Sequence, residues 1–263
     1  MEKRKSVKLG LALGSGGAKG LAHVGAIKAF EEEGIEFDLI AGSSIGSIVG
    51  ALYAKGYSSG DMLSLLNEVA FSDAQFMFAI MLGSLGLSDI INKFTGGAHF
   101  SDLKKPFKAV AVDVDKGKEV VLEKGDLSKA LAASSAVPPF SPVTVDGARL
   151  VDGAFLNYVP SDVVKDMGAD FVLAINLGKG YDTNQAIKRA LDEIYPKNAV
   201  PLTERSWQCY KYSDFVLEPD LSGFTSSSIR EVDKMYQIGY ATAKENISEI
   251  KKLINKGSIT TRD

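Results

Sequence analysis

Two buried strands, each followed by a glycine-rich turn and a helix, constrain the fold of this chain more than any other feature. Residues 7–13 are predicted to form the first strand, and the turn at 14–20 leads into a helix that ends before Gly34. Residues 37–41 are predicted to form the second strand, followed by a sharp turn at 42–46 and another helix. Strands that alternate with helices form a largely parallel, covered sheet. We therefore predict a three-layer α/β/α fold with a central, mostly parallel sheet.

The pattern is interrupted over residues 60–99, which are predicted to be helical and are rich in Met, Phe and Leu, and it returns from residue 107. A tight hairpin is predicted at Asp146-Gly147, and one or two helices over 227–256. The later strands are predicted at Phe107–Val114, Glu119–Glu123, Val143–Val145, Arg149–Val151, Phe171–Leu177 and Phe215–Leu217. A length of 263 residues suits one domain, 1–263, with a helical cap-like insertion at about 60–99.

Composition excludes several classes of protein. The net charge of -3 gives no reason to expect a nucleic-acid partner. A single cysteine, Cys209, cannot form an intrachain disulfide, which favours a reducing compartment, and we expect a cytoplasmic protein. No apolar stretch reaches the roughly 18 residues that a transmembrane helix needs.

The turn Gly42-x-Ser44-x-Gly46 lies between a predicted strand and a predicted helix. A serine at the apex of such a turn is pushed out of the sheet, and the glycines let the backbone bend and the helix approach. The helix N-terminus then favours developing negative charge beside the serine. The pattern indicates a nucleophilic serine; the alternative is a glycine-rich helix start with a serine cap.

A nucleophilic serine needs a base, and the chain offers only two histidines. His23 precedes Ser44, and His99 lies in the irregular middle segment, so neither occupies the usual position after the acidic residue. A carboxylate acting directly is the remaining candidate, and Asp152 stands at a strand end before Gly153. From the residues alone, Asp152 is either the base or an ordinary turn aspartate.

The glycine loop at 14–20 matches neither common phosphate-binding pattern. Lys19 is followed by Gly20 where a P-loop needs Ser or Thr, and Lys19 occupies the place of the third glycine in G-x-G-x-x-G. A loop of exposed backbone N–H groups that opens a helix suits an anion or an oxyanion. A plain tight turn is the alternative.

Four ordered blocks resemble those of the patatin-like phospholipases, specifically the small bacterial kind. They are Gly16-Gly17-Ala18-Lys19-Gly20, the turn at Ser44, the stretch from Ala133 to Pro142, and Asp152-Gly153. The resemblance implies a Ser–Asp dyad without histidine, with Ser44 as nucleophile and Asp152 as base. It also implies an oxyanion hole of Gly16, Gly17 and Ala18, supported by the loop and elbow residues Lys19, Gly20, Gly42, Gly46 and Gly153. Lys19 replaces the arginine common in the family, which keeps the charge but loses the planar fork.

The resemblance further implies a serine esterase that cleaves carboxylic esters of phospholipids, lysophospholipids or other fatty acyl lipids, without metal or cofactor. An acyltransferase on the same site and a non-catalytic lipid-binding regulator are the alternatives. Peripheral contact with membranes is expected, and the sequence does not indicate an oligomeric state. The segment 60–99 is either a helical layer packed on the sheet or a cap whose inner face lines an acyl channel beside Ser44.

Overall fold

The fold is built on a mixed eight-stranded sheet, seen in a computed structural model that describes residues 7–70, 84–137, 142–178 and 209–260. The strands are β1 Leu9–Leu13, β2 Leu39–Ser43, β3 Phe107–Asp113, β4 Lys118–Leu122, β5 Val143–Val145, β6 Ala148–Asp152, β7 Phe171–Ile175 and β8 Phe215–Leu217. Every predicted strand is present, with ends that differ from the prediction by no more than two residues.

Helices cover both faces of the sheet. Within the described ranges they are α1 Leu21–Glu32, α2 Ile45–Lys55, α3 Ser59–Ala70, α4 Ser84–Thr95, α5 Leu127–Ser134, α6 Ser161–Asp166, α7 Cys209–Tyr212 and α8 Val232–Thr260. The long terminal helix predicted from the sequence is α8, and a short 3₁₀ turn, Ile229–Glu231, precedes it.

The sheet has a parallel part and an antiparallel part. Strands β3, β2, β1, β7 and β8 run parallel to their neighbours, in that order. Strands β4 and β6 pair antiparallel with β3, and β5 pairs antiparallel with β6. The prediction of a mostly parallel central sheet is confirmed, and the antiparallel strands join the parallel part through β3.

One edge of β3 carries two partners, one after the other. β2 pairs with Phe107 to Val110, and β6 pairs with Ala111 to Asp113. β4 pairs with Ala109 to Asp113, a range that overlaps both of the others, so β4 occupies the opposite edge. Strands β2 and β6 therefore share one edge of β3, and the carboxyl end of β2 meets the carboxyl end of β6.

Alternation of side chains along the strands builds the three layers. Leu11 and Leu13 of β1 point into the large core beneath α1, α2 and α8, whereas Ala12 points to the opposite face. On that second face Val163 and Val164 of α6 pack against the sheet. The predicted three-layer α/β/α arrangement is confirmed.

The terminal helix α8 packs along α1. Lys244 and Lys251 donate to the two oxygens of Glu33, at 2.9 and 2.8 Å, and hold the pKa of this carboxyl down to about 2. These partly exposed ion pairs join the C-terminal end of α1 to α8.

The interruption predicted at 60–99 contains α3 and α4, and residues 71–83 between these helices lie outside the described residues. Met62, Ile91 and Phe94 are buried in the core beside α1 and α2. These three side chains agree with a helical layer on the sheet. The predicted cap face lies mostly outside the described side chains: Leu66, Phe71, Phe76, Met77, Phe78, Ile80, Met81, Leu82, Leu85 and Leu87.

None of the helices in the described residues combines the length and the apolar composition that crossing a bilayer requires.

Candidate active site

Ser44 lies between β2 and α2 in a backbone conformation that residues other than glycine seldom adopt. Its φ is +55° and its ψ is -127°. A Cβ at Gly42 would lie 2.3 Å from the carbonyl oxygen of Gly46, and a Cβ at Gly46 would lie 2.2 Å from that of Leu13. Both glycines are therefore needed sterically, which is the structural basis of the Gly-x-Ser-x-Gly spacing.

The backbone of Ser44 is held by a residue that the sequence analysis did not single out. The Ser44 N–H donates to Oγ of Ser134 at 3.1 Å, and the Ser134 hydroxyl donates to the carbonyl of Val110 at 2.6 Å. Ser134 is fully buried at the end of α5. The only sequence signal for it was its place within the Ala133–Pro142 block.

Asp152 is brought to Ser44 by the shared edge of β3. Ser43 pairs with Val110 of β3, and Asp152 pairs with the next residue, Ala111. A Cβ at Gly153 would lie 2.3 Å from the Val110 carbonyl oxygen and 2.7 Å from Oγ of Ser43, so only glycine fits at this junction. The ends of β2 and β6, which are distant in sequence, thus lie side by side because they pair with adjacent residues of β3.

The Asp152 carboxylate is completely buried. Its Oδ1 accepts the N–H of Ala154 at 2.8 Å, and Oδ2 has no hydrogen-bond partner among the described residues. Burial raises the pKa of Asp152 from 3.8 to about 7, while the Ser44 hydroxyl and the Ala154 N–H oppose this rise. The Ser44 hydroxyl is close enough to favour the ionised carboxylate, although no hydrogen bond of ordinary geometry joins the two groups.

Tyr158 lies in the same region. Burial raises the pKa of its phenol, and the negative charge of Asp152 raises it further. The Tyr158 carbonyl accepts the N–H of Ser15 at 3.0 Å, which connects the surroundings of Asp152 to the glycine loop.

The glycine loop follows β1, and its N–H groups differ in what they bind. The Ala18 N–H donates to the carbonyl of Ser226 at 2.8 Å, so it is occupied in this structure. The N–H groups of Gly16 and Gly17 have no acceptor among the described residues. Gly17 has a φ of +58°, and a Cβ there would lie 2.5 Å from the Ser226 carbonyl oxygen. Of the three predicted donors, Gly16 and Gly17 are the two that remain available.

Lys19 and Gly20 follow the donors in a 3₁₀ turn, Gly17–Gly20. Lys19 is buried, and this burial lowers the pKa of its ammonium group. A Cβ at Gly20 would lie 2.1 Å from a side-chain carbon of Ile45, the residue after Ser44. The loop and the serine turn therefore pack directly against each other.

The two histidines have other partners. His23 is completely buried, its Nε2 donates to the Gly14 carbonyl at 2.7 Å, and burial lowers its pKa to about 4. This neutral ring therefore supports the glycine loop through the carbonyl of Gly14. His99 is exposed and begins the short turn ahead of β3, where its N–H donates to Asp102 at 2.8 Å. Neither ring forms a hydrogen bond with Ser44 or Asp152 in the described part of the chain.

Among the described residues, no three histidine, cysteine or carboxylate side chains come together as a metal site.

Comparison with known proteins gives a consistent family. The profile described as patatin-like phospholipase matches residues 11–165. Patatin-like phospholipase domain-containing protein 6 of Mus musculus is 29% identical over 277 residues, covering 90% of this chain and 20% of the relative. An NTE family protein of Mycobacterium tuberculosis is 35% identical over 178 residues, covering 65% of this chain and 49% of the relative. Lysophospholipase nte1 of Aspergillus fumigatus is 28% identical over 278 residues, covering 92% of this chain and 18% of the relative.

Solved structures share the fold at low sequence identity. Human GIVD cytosolic phospholipase A2 has a TM-score of 0.60 at 9% identity, over 98% of this chain and 63% of that protein. VipD from Legionella pneumophila has a TM-score of 0.53 at 15% identity, over 96% of this chain and 67% of that protein. The chain spans between about a fifth and a half of the length of the curated relatives it matches.

Proposed function

The chain belongs to the patatin-like phospholipase family, and from this premise we propose that it hydrolyses carboxylic esters of fatty acyl lipids with Ser44 as nucleophile and Asp152 as base. One observation carries the proposal: adjacent residues of β3 hold the ends of two strands, so that Ser44 lies beside a buried carboxylate. The free Oδ2 of Asp152 and its pKa of about 7 suit a general base near neutral pH.

In the acylation step, Oγ of Ser44 attacks the ester carbonyl carbon while its proton passes to Oδ2 of Asp152. The electron pair of the C=O bond moves onto oxygen and forms a tetrahedral oxyanion. Collapse of this intermediate breaks the bond to the alcohol, which leaves with the proton from Asp152. Ser44 then carries the acyl group as an ester.

In the deacylation step, water attacks the acyl-Ser44 carbonyl and gives a proton to Asp152. Collapse of the second tetrahedral intermediate breaks the bond to Oγ of Ser44, and the proton on Asp152 returns to that oxygen. The fatty acid is released, and both side chains regain their starting protonation states. No histidine takes part, which agrees with the positions of His23 and His99.

The N–H groups of Gly16 and Gly17 are proposed as the oxyanion donors, since both lack an acceptor among the described residues. The Ala18 N–H joins them only if its bond to Ser226 opens. Lys19, Gly20, Gly42, Gly46 and Gly153 act as supports that let the loop, the serine turn and the Asp152 junction pack together.

The substrate class is proposed as phospholipid, lysophospholipid or another fatty acyl lipid, supported by the family and by the lysophospholipase name of the Aspergillus relative. We propose one domain over 1–263 with the segment 60–99 as a cap over the acyl chain. Cytoplasmic location with peripheral membrane contact is part of the proposal, because acyl lipids reside in membranes and the single cysteine, Cys209, is a buried free thiol.

The test incubates wild type, Ser44→Ala and Asp152→Asn with a lysophospholipid and a p-nitrophenyl acyl ester, with and without an acceptor alcohol. Release of fatty acid by wild type and its loss in both variants would support the proposal. Acyl transfer to the alcohol in preference to water would indicate an acyltransferase. Binding to lipid vesicles with no turnover of any ester would indicate a non-catalytic lipid-binding protein.

A further inference from the structure

We infer that Ser134 is a positioning residue that fixes the separation between Ser44 and Asp152, an inference that rests on the proposed function. Ser134 does not face the substrate in this scheme. It acts through the backbone of the nucleophile, and its neighbour Ala136 acts through the backbone of the base.

On the nucleophile side, Ser134 holds a strained conformation. A non-glycine residue at φ +55° and ψ -127° is strained and persists only where its surroundings determine it. The Ser134 hydroxyl accepts the N–H of Ser44 and donates its own proton to Val110 on β3. One hydroxyl therefore ties the strained turn to the strand that also carries Asp152, and it needs both its donor and its acceptor capacity to do so.

On the base side, the same segment reaches Asp152. The N–H of Asp152 donates to the carbonyl of Ala136 at 3.2 Å. Residues 134–136 thus contact the backbone of both proposed catalytic residues. Two strand ends on one edge of β3 meet without a covalent link between them, and this segment is the hydrogen-bonded bridge across the junction.

The bond between Ser44 and Ser134 has a second consequence. The N–H of Ser44 is already used, so it does not serve as an oxyanion donor. Loss of the Ser134 hydroxyl would leave this buried N–H and the Val110 carbonyl without their partner and would let the turn relax. The Ser44 hydroxyl would then move relative to Asp152, and misplacement of a reacting group by about 1 Å can reduce the rate about a hundredfold.

The experiment compares Ser134→Ala, the nearly isosteric Ser134→Cys and the control Ser128→Ala. Ser128 lies on the same helix, and its hydroxyl donates at 2.7 Å to Asp126, the residue that caps the start of this helix, instead of to the serine turn. The control therefore also loses one side-chain hydrogen bond from α5. Turnover is expressed per active site, titrated with a fluorophosphonate that labels Ser44, so that misfolded protein does not count.

We expect kcat of Ser134→Ala to fall about ten- to a hundredfold with little change in KM. The kcat of Ser134→Cys should lie between those of wild type and Ser134→Ala, and the kcat of Ser128→Ala should match that of wild type. If Ser134 has a purely structural role, Ser134→Ala will lower the melting temperature and the number of titratable sites but leave kcat per site unchanged. That result would overturn the inference. If Ser134→Ala does not fold, Ser134→Cys decides by the same criterion. Absence of turnover in wild type, or turnover that survives Ser44→Ala, would overturn the proposed function as well.

Discussion

Asp152→Asn separates the reactivity of the proposed base from the free-energy cost of burying it. Burial raises the pKa of this carboxyl from 3.8 to about 7, a change of about 3 units, and each unit corresponds to about 1.36 kcal/mol. When Asp152 is ionised in both states, the folded protein therefore carries a cost of about 4 kcal/mol. The amide has similar size and can still accept the Ala154 N–H, but it is never charged.

The sign follows from the protons bound in each state. Below about pH 4, Asp152 is protonated in both the folded and the unfolded chain, and burial costs no charge. Between about pH 4 and pH 7 the unfolded chain has lost the proton and the folded chain has kept it, so stability falls as the pH rises. Of the interval between the two pKa values, the part from pH 5 to about pH 7 spans roughly two pH units. The unfolding free energy of Asp152→Asn should therefore rise by about 3 kcal/mol relative to that of wild type between pH 5 and pH 8.

Urea unfolding of wild type and Asp152→Asn at both pH values measures this gain. The control is Asp233→Asn, which removes the charge of an exposed aspartate on α8. In parallel, kcat/KM of wild type should rise with pH around an apparent pKa near 7, and Asp152→Asn should be inactive at every pH, because an amide cannot accept the serine proton. A relative stability that does not change between pH 5 and pH 8, together with a flat activity profile, would refute the reasoning.

Three further perturbations examine the neighbouring parts of the site. Replacement of His23 and His99 together by glutamine should leave most of the esterase activity, because the side-chain amide introduced at position 23 can still donate to the loop carbonyl; activity lost from a well-folded double variant would restore a histidine base. Gly17→Val should lower turnover on the order of a hundredfold or more, since its side chain would meet a carbonyl oxygen at 2.5 Å. Gly34→Val is the matched control, with a φ of +67° and open space around it, and equal effects of the two would make the loop a plain turn. Met81→Glu, outside the described residues, should depress hydrolysis of long acyl esters more than of short ones, and equal losses would favour a simple packing layer.

The sequence was sufficient for the parts of the fold that local patterns determine. Strands appeared where apolar runs were bounded by turn residues, and the serine turn was recognisable because glycines stand at a fixed spacing on either side of Ser44. The steric demand at Gly42 comes from Gly46 within the turn, whereas that at Gly46 comes from Leu13 of the neighbouring strand. Asp152 was recognisable only as a strand-end carboxylate. From the residues alone its role stayed open, since an ordinary turn aspartate has the same local sequence.

The remaining parts depend on contacts between distant segments. The Ser44–Ser134 bond joins residues that lie 90 positions apart, and no periodicity reveals it. The same holds for the bond that occupies the Ala18 N–H, whose acceptor Ser226 lies in the turn ahead of α8. The shared edge of β3 is likewise a matter of register, which depends on how three strands fit together rather than on the composition of any one of them.

The shared edge of β3 also bears on how chains of this kind can change length during evolution. The proposed dyad spacing depends on which residues face Val110 and Ala111, and the number of residues in the connecting turns does not enter. The hairpin turns at 114–117 and 146–147 can therefore be extended without moving either residue. Each doubling of a flexible loop costs only about 0.6 kcal/mol. These turns are the natural places for added modules, and the same two positions suit the insertion of a tag or a reporter domain.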